Sequence, residues 1–85
     1  LVSIIIVNYY SESLIESCIS EITDSEFLEI IIVSNGTDTK KRNELLQKFQ
    51  NLQWVESGYN AGFGRANNLG VSNARGEFVL LLHPD

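Results

Sequence analysis

Two runs of β-branched residues, Val2-Ser3-Ile4-Ile5-Ile6-Val7 and Ile30-Ile31-Ile32-Val33, constrain this chain more than any other feature. A strand with one face in water alternates apolar and polar side chains. These runs do not alternate, so both of their faces must be covered, as in a parallel sheet with helices on either side. The segments between supply those helices. Leu14, Ile15, Cys18, Ile19 and Ile22 recur at helical spacing, Ser13 and Glu16 fit a capping box at the start, and Thr23-Asp24-Ser25 closes the helix. Leu45, Leu46 and Phe49 mark a second amphipathic helix, with Lys40, Lys41 and Arg42 near its start, where cations oppose the helix dipole. Gln53-Trp54-Val55-Glu56 reads as a short third strand near a sheet edge. A third helix, about Ala61 to Ala74, is stopped by Gly76, and Phe78 to Leu82 forms a fourth strand. The order β-α-β-α-β-α-β with short connections predicts an α/β fold, a three-layer parallel sheet of Rossmann-like type.

Composition narrows the function by exclusion. Eighty-five residues allow one small domain with a thin core. A net charge of −5 argues against nucleic acid or an anionic membrane as the main partner, because both require a basic footprint. Cys18 is the single cysteine, so no intramolecular disulfide is possible; on the apolar helix face it reads as a buried, inert thiol. No apolar run approaches the roughly 18–20 residues of a membrane span. Leu1 to Val7 lacks the basic flank and cleavage site of a signal peptide. The chain starts without Met and stops where its sheet would continue, so it reads as an excised half of something larger. Asn35-Gly36-Thr37 matches a glycosylation sequon but reads as part of a turn, Ser34 to Asp38.

The loops that follow parallel strands share one edge, where α/β sheets bind their ligands. After strand one come Asn8, Tyr9 and Tyr10, and after strand two Ser34 and Asn35. Tyr can stack on a base, and Asn can satisfy a pyrimidine or ribose edge. After strand four come His83-Pro84-Asp85. A carboxylate at a strand exit suits a divalent cation that also binds phosphates, and Pro84 stiffens the turn that aims Asp85. His83 is a ligand, a phosphate donor, or a polar residue leaving the core. With no second His or Cys cluster, zinc is disfavoured. Gly62-Phe63-Gly64 is not a dinucleotide fingerprint, because Asn67 stands at the third glycine position and the segment follows the third strand. Its glycines read instead as letting the helix approach the sheet and leaving N-terminal amides, with Arg65, to meet an anion such as a diphosphate. A packing helix with a solvated Arg fits the same residues. Each signal alone is common in loops; their convergence is the informative observation.

As an ordered set, these residues resemble family 2 glycosyltransferases. Val2-Ser3-Ile4-Ile5-Ile6-Val7-Asn8-Tyr9, the Asn35-Gly36 turn, Asn60-Ala61-Gly62-Phe63-Gly64-Arg65-Ala66-Asn67-Asn68-Leu69-Gly70 and Ala74-Arg75-Gly76-Glu77 through Asp85 carry the likeness. It is similar in flavour to the rhamnosyltransferase-like branch, whose fourth strand ends in Asn-Pro-Asp. The resemblance implies the N-terminal half of a GT-A fold, with residues 1–85 a single partial domain that binds the nucleotide-sugar donor. It implies sugar transfer, with inversion, from a nucleotide diphosphate-sugar to a hydroxyl of a glycan or lipid-linked acceptor in polysaccharide biosynthesis, with Mg²⁺ or Mn²⁺ as cofactor.

By the same resemblance Asn8 and Tyr9 border the base, Ser34 and Asn35 stand at the second-strand turn, and Arg65 and Asn68 lie on the helix flanking the nucleotide. Asp85, with His83, corresponds to the metal-binding Asp-x-Asp element. Ser34 stands where Asp is usual, Asp38 is displaced from that position, and His83 replaces Asp or Asn. The family's catalytic base comes from the second half of the fold, so none is assigned here; Glu56 and Glu77 read as strand-end surface residues. A cytoplasmic location, at the inner membrane face in a full-length protein, is the corresponding expectation. An open sheet edge would allow pairing between copies. Two other readings compete: a non-catalytic module of the same fold, favoured by Ser34 and His83, and a nucleotidyltransferase-like domain, disfavoured by the absence of a Gly-rich basic loop after strand one.

Overall fold

The computed structural model describes residues 1–22, 28–58, 62–76 and 78–82. Four strands and three helices alternate as β1 (Val2–Tyr9), α1 (Glu12–Ser20), β2 (Leu28–Gly36), α2 (Thr39–Lys48), β3 (Leu52–Glu56), α3 (Gly62–Asn73) and β4 (Phe78–Leu82). The strands form one parallel sheet in the order β3-β2-β1-β4. The two β-branched runs therefore occupy its centre, and the shorter β3 and β4 lie at its edges.

Side chains of the central strands divide by parity between two cores. Ile4, Ile6, Ile30 and Ile32 face Ile15 and Ile19 of α1 and Leu45 of α2. Ile5, Ile31 and Val33 pack with Ala66 of α3 on the opposite face. Ile5, Ile6, Ile31 and Ile32 are wholly buried, and each contributes about 1.5–3 kcal/mol of transfer free energy. This is the three-layer arrangement expected from the uninterrupted apolar runs.

The boundaries differ from expectation in instructive ways. The segment read as a loop after strand one continues the ladder, since Asn8 pairs with Ser34 and, after a register shift, Tyr9 pairs with Gly36. The supposed turn at Ser34-Asn35-Gly36 is thus the end of β2. Helix α1 starts at Glu12, one residue before the expected Ser13–Glu16 capping box, and its N-cap Ser11 makes no side-chain cap bond. Leu14, assigned to the apolar face, is exposed, and Glu12 is buried in its stead. Cys18 is a free thiol of intermediate burial. The cations at the start of α2 are tolerated because Asp38 caps it, accepting from the Lys41 backbone N–H at 3.2 Å.

The close approach of α3 to the sheet occurs at Gly70, where a Cβ would collide with the Ile5 side chain, and not at Gly64, which faces open space. Gly76 likewise is no left-handed helix stop. A Cβ there would meet the Ser3 hydroxyl at 2.6 Å and the Leu1 carbonyl at 2.8 Å, so glycine lets the chain pass against the start of β1.

Candidate functional site at the carboxyl edge of the sheet

The carboxyl ends of β1 and β2 are tied together by a buried amide. Asn8 is fully buried, and its Nδ2 donates to Glu12 Oε2 at 2.9 Å, Ser34 Oγ at 3.0 Å and the Gly36 carbonyl at 3.0 Å. Its Oδ1 accepts from the Ser11 backbone N–H at 2.9 Å. Two N–H hydrogens serve three acceptors, so at least one bond is shared. Glu12, 2% exposed, also accepts from the Asp38 backbone N–H at 2.8 Å. Its carboxylate therefore lies in the first turn of α1 and at the N-cap of α2 at once. Two helix dipoles favour a negative charge there.

Ser34 is equally buried. Its hydroxyl bonds the Gly36 carbonyl at 3.0 Å and makes a very short contact with Thr37 Oγ1. The Ser34 carbonyl accepts from the backbone N–H and the hydroxyl of Ser57, at 2.9 and 3.0 Å, and Ser57 Oγ also reaches Asn35 Oδ1 at 2.9 Å. Thr37 passes the network outward to Glu56, whose oxygens lie 2.9 and 3.0 Å away. Trp54 Nε1 donates to Glu56 at 2.8 Å, and Arg42 pairs with it at 3.5 Å. Glu56 is thus a half-exposed hub that locks the end of β3 to the start of α2.

In front of this buried layer stand two exposed rings. Tyr9 and Tyr10 are 56% and 64% exposed and meet edge to face, with centroids 5.1 Å apart and planes at 76°. Arg65 and Asn68 are exposed on α3, which leaves the same end of the sheet after β3. Next to Arg65 and Asn68, Asn67 is 7% exposed, and its Oδ1 has no hydrogen-bond partner among the described residues.

The structure therefore sorts the expected site residues. Asn8 and Ser34 are joined directly and face inward, where they brace the edge. Tyr9 lies open above them, and Asn35 is half-buried beside Ser57. His83 and Asp85, expected to hold the metal, lie outside the described residues, as does Glu77. Among the described residues, no group of three or more His, Cys, Asp and Glu side chains could hold a metal ion. No pocket forms among the described residues. Sequence reading missed Glu12. Its periodic context marks it as a solvated first-turn acid, and only the convergence of the α1 and α2 N-termini beside the paired ends of β1 and β2 buries it.

Comparison with known proteins agrees with this architecture. The chain is 34% identical to the low-salt glycan biosynthesis hexosyltransferase Agl10 of Haloferax volcanii, over 98% of this chain and 27% of that protein. The crystal structure of S. aureus TarS 1-349 in complex with UDP-GlcNAc superposes with a TM-score of 0.79 at 28% identity, over 99% of this chain and 26% of TarS 1-349. The crystal structure of TarS 1-349 in complex with UDP gives 0.78 at 27% identity, over 99% of this chain and 27% of the other. This chain thus spans about a quarter of the length of these relatives. No helix among the described residues is long and apolar enough to cross a membrane. Residues 3–85 match the family described as Glycosyl transferase family 2, and the chain belongs to that family.

Proposed function

We propose that this chain is the donor-binding half of an inverting glycosyltransferase that moves a sugar from a nucleotide diphosphate-sugar to an acceptor hydroxyl, on a glycan or a lipid-linked carrier. The observation that carries the reading is the carboxyl edge itself, where exposed Tyr9 and Tyr10 stand on a hydrogen-bonded floor of Asn8, Glu12 and Ser34. TarS, a structural relative, has been crystallised with UDP and with UDP-GlcNAc. In this reading Tyr9 meets the base, Asn35 its ribose side, and Arg65 with Asn68 the diphosphate side. Asn8 and Ser34 act from behind by fixing the backbone that presents them. A divalent cation held by Asp85, with His83 beside it, would supply charge compensation for the departing diphosphate. The base that deprotonates the acceptor is not assigned to this chain, and the 85 residues alone are expected not to turn over.

The test is an amide-resolved NMR titration with UDP and then dTDP, each with and without Mn²⁺. Metal-dependent shifts clustered at Asn8–Tyr10, Ser34–Gly36 and Asp85 are the expected result. A folded sample whose spectrum ignores both nucleotides would sink the donor-site reading.

A further inference from the structure

Tyr10 is the one non-glycine residue with positive φ (51°) among the described residues. A left-handed backbone is routine for Gly and tolerated by Asn or Asp, but it strains a bulky aromatic residue. The strained position is tightly held, because the Tyr10 N–H donates to the Gly36 carbonyl at 2.9 Å, and that carbonyl also accepts from Asn8 and Ser34. The ring gains little burial in return, being 64% exposed. An unfavourable backbone that delivers an aromatic ring to solvent at a sheet's ligand edge is better explained by binding than by folding.

The surroundings are shaped for the two rings. A Cβ on Gly36 would lie 2.5 Å from Tyr10 Cε2 and 3.0 Å from Tyr9 Cδ2, so both rings rest over the space that glycine leaves. Their planes meet at 76°. A planar base stacked on the ring whose edge points at its neighbour would turn its own edge to that neighbour's face, repeating the favourable edge-to-face arrangement. The pair thus forms a corner that contacts a base on two sides, where a lone Tyr9 would contact it on one.

We infer that Tyr10 is a second base-binding residue, and that its left-handed backbone is retained to hold the Tyr9–Tyr10 corner over Gly36 for the nucleobase of the donor. The inference rests on the donor-site reading above. It is tested by calorimetric titration of the protein and its Tyr10→Asn, Tyr10→Phe and Gly36→Ala variants with UDP and with inorganic pyrophosphate, which has no base, alongside thermal melts.

Tyr10→Asn should weaken UDP binding by about tenfold, the order expected for one lost aromatic contact to a base, and leave pyrophosphate binding unchanged. Its Tm should rise by about 2–8 °C as the left-handed strain is relieved. Tyr10→Phe keeps the ring and should stay within about twofold of wild type. Gly36→Ala displaces the ring tips and should lose UDP affinity as Tyr10→Asn does. Unchanged UDP affinity in Tyr10→Asn, or a lowered Tm, overturns the assignment of Tyr10 while leaving the donor reading intact. A folded wild type that binds no UDP overturns both.

Discussion

Each end of the sheet is built around a buried glutamate, and the two are satisfied differently. At the amino end, Glu29 (6% exposed) accepts from Ser3 Oγ at 2.7 Å, the Arg75 backbone N–H at 2.9 Å and Arg75 Nε at 3.1 Å. Ser3 Oγ in turn accepts from the Gly76 N–H at 2.9 Å, so β1, β2 and the α3–β4 connection close on one point. A cation neutralises the charge, and the clasp uses only groups of its own chain. At the carboxyl end, Glu12 receives neutral donors, the Asn8 amide and the Asp38 N–H, with two helix N-termini supplying the field. In front of it the rings and helix side chains remain open. The amino end is built to stay shut, whereas the carboxyl end is a rigid floor beneath an open surface.

The contrast predicts how each end breaks. Asn8→Ala removes the donor shared by Glu12, Ser34 and Gly36, leaving a buried carboxylate short of a partner. It should lower stability by about 3 kcal/mol or more in urea melts, the largest effect expected here. A loss under about 1 kcal/mol would mean that the brace is dispensable.

A sharper probe concerns the serine that stands where the family resemblance expects an aspartate. Ser34 Oγ and Glu12 Oε2 share one amide nitrogen, at 3.0 and 2.9 Å, so a carboxylate at position 34 would face Glu12 across it. Ser34→Asp should cost about 2 kcal/mol through like-charge repulsion in a buried site. Combining it with Glu12→Gln should recover most of that loss, read as a coupling energy in a double-mutant cycle. Additive losses would show that the two positions do not share a charge.

The amino end gives the smallest effect and a pH signature. Burial alone would raise the Glu29 pKa, but the Arg75 N–H, the Ser3 hydroxyl and the Arg75 guanidinium outweigh it and hold the carboxyl below its ordinary value of 4.5. A depressed carboxylate pKa contributes stability that is complete above the unfolded value and is lost as pH falls through the folded one. Glu29→Gln should therefore cost about 1–2 kcal/mol at pH 7, and the gap between variant and wild type should narrow as the medium is acidified below pH 4.5. Arg75 is 80% exposed, so its pairing with Glu29 is open to screening and added salt should weaken that part of the effect. A gap that stays constant with pH would assign the loss to packing.

How far the sequence can be read follows from the range of each interaction. The uninterrupted runs Val2–Val7 and Ile30–Val33 are local patterns, and they sufficed to place two parallel central strands between two helical layers. The helical spacing of Ile15 and Ile19, and the weaker apolar content of β3, were likewise legible. The reading of Asn8 and Ser34 as loop residues failed because strand length at the sheet end is set by a partner 26 residues away. Nothing within a few positions of either residue signals that pairing.

By itself, then, the sequence determined the fold class, the alternation of elements, the two-sided core and the set of polar residues that gather at one edge. Each follows from local periodicity and short connections. Only the tertiary structure decided which of those polar groups turn inward and which remain open. Glu12 is buried because two helix N-termini converge on it, Tyr10 is held in a left-handed backbone by its bond to the Gly36 carbonyl, and Asn8 is enclosed because β1 and β2 pair to their ends. Hydrogen bonds between distant segments select one arrangement among many that the same local pattern allows, so burial and strain at the site emerge only when the strands are in register.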